Sequence, residues 1–382
     1  MTFNFSFAQH ATPYYYYDTD LLGRTAAEAM QQAQRYGYHI HYALKSNANV
    51  PLLQLLRAQG LGADCVSGNE VQRAIDCGFN PQSIVFAGVG KTDDEINLGI
   101  GHNIGCFNCE SEQEIEVIQQ LAAAQGKVVT IALRINPNVD AHTHHNITTG
   151  LEENKFGIQL WQLPAVIERV KTLPNVQLTG FHFHIGSQIT DMQVFATLCQ
   201  KINEITRAHN VDIGHINVGG GLATNYETPD QLPIPDFAGY FDILHKHLHV
   251  REGQSVHCEL GRSLVAQCGS LISKVLYVKK LRHKNFIILD AGMSDLIRPA
   301  LYGARHHIQN LSSAGKDTEQ YDVVGPICES SDCFATAVSL PITQRGDFIA
   351  LRSAGAYGEV MASQYNLRKL PAAVYSEGSK RG

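Results

Sequence analysis

Four stretches of this chain put reactive side chains where a fold could use them. Lys45 closes the apolar run His41-Tyr42-Ala43-Leu44-Lys45, ahead of Ser46-Asn47. A lysine in such a place must take its ammonium out of water, which lowers its pKa. Two readings stand: an ordinary lysine snorkelling from a strand end, or a Schiff-base lysine held partly neutral so that it can attack a carbonyl. The second stretch, His182-Phe183-His184-Ile185-Gly186-Ser187-Gln188, spaces two histidines at the period of a strand, so that both point the same way. The third, Gly219-Gly220-Gly221, is backbone without a Cβ to obstruct the approach of an anion, although a triple glycine is more often a plain turn. The fourth, Glu259-Leu260-Gly261-Arg262, offers a carboxylate, a glycine and a guanidinium.

Positioning these groups falls to a regular alternation. Short apolar or β-branched runs at 40–45, 63–67, 84–88, 105–108, 128–136, 178–186, 215–219 and 256–261 alternate with amphipathic stretches. Pro51 to Arg57 and Glu114 to Leu121 read as helices, and Phe195, Leu198, Ile202 and Ile205 share one helical face. Eight strand-then-helix units, the last without a convincing helix, over roughly 240 residues predict an α/β chain with a (β/α)8 barrel of the TIM type. An open doubly wound sheet is the alternative. In a barrel, chemistry gathers at the C-terminal ends of the strands, which is where all four stretches fall. Beyond about residue 265 the pattern changes to strands with little helix, at Val275 to Val278, Phe286 to Asp290, Tyr321 to Val324 and Phe348 to Leu351. The expected division is therefore a barrel over 24–265 and a C-terminal β domain, sandwich-like or barrel-like, over 266–382 that is joined by 1–23 and its strand-like Tyr14 to Tyr17.

The bulk properties exclude other classes. With 382 residues, 44% of them apolar, the chain can bury a large core, and its net charge of −6 is spread along the sequence. That argues against nucleic acid or an anionic membrane as partner. No apolar run is long enough to span a bilayer, and Met1-Thr2-Phe3-Asn4-Phe5 lacks the features of a signal peptide. Nine cysteines without framework spacing point to reduced thiols in a cytoplasm.

The motifs resemble those of the diaminopimelate decarboxylases, pyridoxal-phosphate enzymes with the alanine-racemase type of barrel. The resemblance is carried by Tyr42 to Asn47, His182 to Ile189, Gly219 to Leu222, Glu259 to Arg262, Asp290 to Met293, Arg298-Pro299-Ala300-Leu301-Tyr302, Gly325 to Ser330 and Gly355 to Gly358. It runs in family order from about residue 12 to 370. Leu260, Asn69 and Gln364 depart from the usual proline, glycine and asparagine, none at a position the family uses for chemistry.

The resemblance implies that Lys45 carries pyridoxal 5'-phosphate as a Schiff base, that Glu259 keeps the pyridine nitrogen protonated, and that His184 stacks on the ring. It implies a phosphate held by Ser187, Gly219, Gly220, Gly221, Gly261, Arg262 and Tyr357. Substrate would meet Arg262, Arg298, Tyr302, Glu329 and Tyr357: an arginine fork suits the distal carboxylate of diaminopimelate, and Glu329 suits its distal ammonium. Cys328 would return the proton. Cys328 and Glu329 come from the partner subunit in this family, so a homodimer with shared active sites is implied. The implied activity is a lyase of lysine biosynthesis, converting meso-2,6-diaminopimelate to L-lysine and CO2.

Other features have blander readings. Cys106 and Cys109 form a CxxC on a strand, where residues three apart face opposite ways, so no metal site is expected. His142-Thr143-His144-His145 reads as a solvated loop that runs through Gly150 to Gly157 into the family's substrate-covering loop. His245, His247 and His249 decorate a helix and its end. Cys65, Cys199 and Cys258 read as small core residues. Two other functions remain open: decarboxylation of another amino-carboxylate such as carboxynorspermidine, and a non-catalytic regulatory relative.

Overall fold

A computed structural model describes residues 7–140, 154–209 and 211–376. Its contacts divide the chain into two units, one formed by 25–223 and 236–261 and the other by 1–24, 224–235 and 262–382. The strands among the described residues are β1 (Tyr14–Tyr17), β2 (His39–Ala43), β3 (Gly62–Cys65), β4 (Ile84–Phe86), β5 (Cys106–Cys109), β6 (Val129–Arg134), β7 (Val176–His182) and β8 (His215–Asn217), then β9 (Ser255–Leu260), β10 (Gly269–Lys280), β11 (Asn285–Leu289), β12 (Ile308–Asn310), β13 (Thr318–Val324), β14 (Cys333–Pro341), β15 (Phe348–Leu351) and β16 (Ala372–Tyr375).

In the first unit, β2 to β9 close a parallel barrel in sequence order, which settles the choice against an open sheet. Helices Val50–Ala58, Glu112–Ala124 and Gln193–His209 contain the three helical patterns seen in the sequence. β9 is followed directly by the short helix Arg262–Val265. Local chemistry fixes where the strands give way to helices. Ser67 Oγ accepts from Glu70 N–H, and Ser111 Oγ from Glu114 N–H. Thr92 and Glu95 cap each other reciprocally. Each cap satisfies N–H groups that a helix start leaves without partners.

The other end of the barrel is held by a chain of neutral histidines. Ser83 C=O can only accept, so His41 carries its proton on Nδ1 (3.0 Å) and accepts on Nε2 from His257 Nδ1–H (2.8 Å). His257 Nε2 is then left to accept from Ser255 Oγ–H at 2.9 Å. The His41 and His257 rings, 5.0 Å apart and 12° from coplanar, are bonded edge to edge. His215 lies 5.0 Å from His257. Burial, with the neighbouring His41 and His182, lowers the His215 pKa to about 4. A histidine whose folded pKa is depressed contributes stability in full above the unfolded value near 6.5, and loses it as the pH falls toward the folded value. Between about pH 6.5 and 4 the barrel should therefore lose on the order of 2–3 kcal/mol through His215. Denaturant titrations at pH 7 and pH 4.5 should show a smaller difference for His215→Gln than for wild type; equal differences would exclude this cause.

In the second unit, β12, β15, β10, β11, β13 and β14 are adjacent in that order, with β1 between β10 and β16. The tyrosine run of β1 pairs antiparallel with Ile272–Gly269 and parallel with Ala372–Tyr375. Tyr14, Tyr15 and Tyr17 are fully buried. Their hydroxyls still find partners, Tyr15 in Asp295 C=O (2.7 Å) and Tyr17 in the Glu359 carboxylate (2.7 Å). The division differs from the expected 24–265 and 266–382 at its boundaries, which fall after residues 24 and 261, and at one internal segment, 224–235. It belongs with the second unit because Asp230 accepts from Arg352 Nη2 (2.9 Å), Asn225 C=O accepts from Gln267 Nε2 (2.9 Å), and Tyr226 C=O accepts from His307 N–H (3.1 Å). Among the described residues no helix is long and apolar enough to cross a membrane.

Candidate active site

Lys45 sits one turn beyond its strand. β2 ends at Ala43, and Leu44–Ser46 form a 3-10 turn locked by Ser46 Oγ, which donates to Ala43 C=O at 2.8 Å. The expected place at the strand end is thus corrected by one turn, and the ammonium is directed by the turn. Lys45 Nζ lies 3.4 Å from Oδ2 of Asp64 on β3, whose carboxyl is completely buried and whose Oδ1 has no hydrogen-bond partner among the described residues. Burial and the charge of Glu259 push the Asp64 pKa up to about 8, against the pull of Lys45. Asp64 is therefore mostly protonated at neutral pH.

Glu259, on β9, is the opposite case. Its Oε1 accepts from Asn108 Nδ2 on β5 (3.1 Å) and from Asn217 Nδ2 on β8 (2.7 Å), and its Oε2 accepts from His182 Nε2 on β7 (2.9 Å). Burial works to raise its pKa, but the charge and hydrogen bond of His182, with Lys45 and His184, hold it well below the ordinary carboxylate value. Three donors on a carboxylate that can accept about four leave one position open on Oε2. The two histidines of the HFH stretch do different work. His182 is the last residue of β7 and grips Glu259, whereas His184 lies beyond the strand and accepts on Nδ1 from Gly220 N–H at 3.2 Å. Burial and the positive charges of Lys45 and Arg134 lower the His184 pKa.

The triple glycine follows β8, and packing accounts for much of it. A Cβ on Gly219 would lie 2.3 Å from Phe183 C=O, and one on Gly220 would lie 2.1 Å from Glu259 C=O. Gly219 also has a φ of +73°. The chain's own backbone, as much as any ligand, therefore requires glycine at both positions. Gly219 N–H donates to Asn217 Oδ1 (2.9 Å), and Gly220 N–H to His184. Ser187 is half-buried in the loop after β7. Gly261 is tight as well, since a Cβ would lie 3.0 Å from both Ala43 Cβ and Ser46 Oγ.

The second unit gathers the guanidinium groups around one phenol. Arg262 Nη1 donates to Tyr226 OH at 2.7 Å, and its guanidinium lies 4.7 Å over the Tyr357 ring. Arg298 opens the helix Arg298–Tyr302 and lies 4.6 Å over the face of Tyr226. Its Nη1 bonds His306 Nε2 at 2.9 Å. Burial would raise the Tyr226 pKa, but the two arginines bring it below the ordinary tyrosine value. Arg298 is only 5% exposed, and its Nε–H has no acceptor among the described residues. A buried donor left unpaired costs about 1–3 kcal/mol, so an anion placed there would recover it. Cys328 and Glu329 are exposed, in a loop pinned by buried Asp332, whose carboxylate accepts from Ile327 N–H (2.7 Å) and Met293 N–H (2.6 Å). Ser331 Oγ donates to Glu329 and, with Tyr365, lowers its pKa.

Within the barrel unit the structure thus brings together Lys45, His184, the glycines and Glu259, and within the other unit Arg262, Arg298 and Tyr357. Tyr302 closes the helix that Arg298 opens. The stretch His142 to His145 lies outside the described residues. Asp64, Asn108, Asn217, Tyr226 and His306 were not singled out in the sequence. Asp64 was the most visible, an acid inside the buried run Gly62–Cys65.

A family model described as pyridoxal-dependent decarboxylase, pyridoxal binding domain, matches residues 22–266. A diaminopimelate decarboxylase of Bacteroides thetaiotaomicron is 55% identical over 364 residues, 94% of each chain. The chain belongs to the diaminopimelate decarboxylase family. A second family member, from Helicobacter pylori, is 41% identical over 95% of this chain and 89% of its own. The crystal structure of a Helicobacter pylori diaminopimelate decarboxylase complexed with L-lysine superposes with a TM-score of 0.91 at 40% identity, covering 97% of this chain and 93% of that one. The enzyme of M. jannaschii in co-complex with L-lysine gives a TM-score of 0.88 at 33% identity, with coverages of 97% and 88%.

The pyridoxal cofactor of this diaminopimelate decarboxylase family fits the donor set. Such a group needs an amine for its carbonyl carbon and an anion for its ring nitrogen. The barrel supplies Lys45 beside a neutral acid, and a buried Glu259 held ionised with one acceptor position open on Oε2.

Proposed function

We propose that this chain decarboxylates meso-2,6-diaminopimelate to L-lysine and CO2 with pyridoxal 5'-phosphate, in the biosynthesis of lysine. The observation that carries the reading is Glu259, kept as a carboxylate in the barrel interior by Asn108, Asn217 and His182. The two relatives of known structure are complexed with L-lysine, the expected product.

When bound, the cofactor supplies an electron sink for the pair left behind as CO2 departs. Lys45 would hold it through its amine and then yield that place to the substrate amine. Glu259 would hold a proton at the ring nitrogen. His184, tied to Gly220, would pack on the ring face. Ser187, Gly219, Gly220, Gly221, Gly261, Arg262 and Tyr357 hold the phosphate. Arg262, Arg298, Tyr302, Glu329 and Tyr357 hold the substrate, with Arg298 on the distal carboxylate and Glu329 on the distal ammonium. Cys328 Sγ returns a proton to the carbon that lost CO2.

We assign the residues that meet the cofactor's carbonyl carbon and ring nitrogen to the barrel unit, and the substrate residues, with the phosphate ligands Arg262 and Tyr357, to the second unit. All nine cysteines are free thiols, in keeping with a cytoplasmic setting. The active form is a homodimer, in which Cys328 and Glu329 serve the partner's Lys45. Lys45→Ala and Cys328→Ala chains, each nearly inactive alone, should then recover about a quarter of wild-type activity when co-expressed. In a random mixture about half the dimers are mixed, and each of those holds one intact site. No recovery, with mixed dimers confirmed by tag pull-down, would place each site within a single chain. The activity itself is tested by CO2 release from meso-diaminopimelate, ornithine, arginine and carboxynorspermidine side by side. Preference for any but the first would overturn the substrate assignment.

A further inference from the structure

We propose that His306 and Tyr226 are positioning residues for recognition of the distal carboxylate, because together they fix the Arg298 guanidinium so that its Nε edge faces the substrate. This rests on the reading that Arg298 meets that carboxylate.

The argument begins with the only tautomer His306 can adopt. Its Nδ1 lies 2.9 Å from Arg352 C=O, which can only accept, so Nδ1 carries the proton. Nε2 is then a bare lone pair, and it faces Arg298 Nη1 at 2.9 Å. Burial and the Arg298 charge keep the ring neutral, lowering its pKa to about 3, so the acceptor is present throughout any working range of pH.

Tyr226 fixes the remaining freedom of the guanidinium. Its ring lies under the Arg298 guanidinium at 4.6 Å and meets the His306 ring edge-on, at 5.2 Å and 79°. Its hydroxyl is held in turn by Arg262 Nη1. One face of the Arg298 guanidinium is thus taken by a phenol and one amino group by an imidazole. On the edge left over, the buried Nε–H has no acceptor among the described residues. Arginine binds carboxylates through two adjacent N–H groups, and the planar fork recognises its target only when its orientation is fixed. His306 and Tyr226 supply that orientation without contacting the carboxylate.

The test uses the holoenzyme and two inhibitors that differ at the distal carbon. L-lysine carries the distal ammonium and carboxylate, whereas cadaverine carries neither carboxylate. His306→Leu cannot accept from Arg298. It should raise the KM for meso-diaminopimelate and weaken inhibition by L-lysine about ten- to a hundred-fold, with kcat within about three-fold of wild type and cadaverine inhibition within about two-fold. His306→Gln can donate to Arg352 C=O and accept from Arg298, so it should recover most of the loss. Should the leucine variant not fold, His306→Asn, too short to span both partners, takes its place with the same expectation. Equal weakening of L-lysine and cadaverine, a fall in kcat at constant KM, or a glutamine variant no better than leucine would each overturn the inference. If wild type releases no CO2 from meso-diaminopimelate, the underlying reading fails instead.

Discussion

Replacing Lys45 by alanine should abolish covalent attachment of the cofactor and lower CO2 release by more than about a thousand-fold, while leaving the chain folded. The fold survives because of Asp64. That carboxyl is already raised to about 8 with Lys45 beside it. Removing the ammonium raises it further, so Asp64 stays protonated and no buried charge is stranded. The 3-10 turn also keeps its own support, the bond from Ser46 Oγ to Ala43 C=O. Borohydride reduction of the wild-type holoenzyme, followed by peptide mapping, should place the label on Lys45. A labelled peptide carrying any other lysine, or an alanine variant that unfolds, would sink this assignment.

The second large effect belongs to Glu259. Glu259→Gln should retain the cofactor and slow decarboxylation by several orders of magnitude, each factor of ten being about 1.4 kcal/mol of barrier. The amide oxygen can still accept from Asn108 and Asn217. Its NH2 would then face His182 Nε2, which can accept once the ring carries its proton on Nδ1 alone, an atom with no partner among the described residues. Packing therefore tolerates the change. What is lost is the negative charge, and a neutral amide cannot hold a proton at the ring nitrogen. Turnover within a few-fold of wild type would show that another group performs that task.

The barrel was legible because its signal is repeated. Eight short apolar or β-branched runs, all but the last followed by a helical pattern, reinforce one another even where a single run is ambiguous. The helix Thr19–Gln34 went unread, since it precedes the first run and belongs to no strand-then-helix unit. Lys45, Glu259 and His184 could be found because a charged or titratable side chain at the end of an apolar run calls for an explanation. Asn108 and Asn217 could not. A lone asparagine near the end of a buried strand looks the same whether it satisfies the core or steers a carboxylate. Tyr226 and His306 were hidden for another reason: their meaning lies in contacts with Arg298, which is distant from Tyr226 in sequence. The triple glycine was read as space for an anion, whereas the carbonyls of Phe183 and Glu259 occupy the directions a Cβ would take at Gly219 and Gly220.

The segment 224–235 bears on how this protein could be taken apart or recombined. The unit containing the C-terminal strands is assembled from three separate lengths of chain, and the middle one is spliced into the barrel's own sequence. No single cut yields either unit as a contiguous piece. A chimaera that exchanged the C-terminal unit of two relatives at residue 261 would pair one parent's Tyr226 and Asp230 with the other's Arg298 and Arg352. A cassette that respects the contacts must carry 1–24, 224–235 and 262–382 together. During synthesis, too, Tyr226 leaves the ribosome well before Arg298 and His306 do, several seconds earlier at about 5–20 residues per second. That face of the phenol must wait for its partners until the chain is nearly complete.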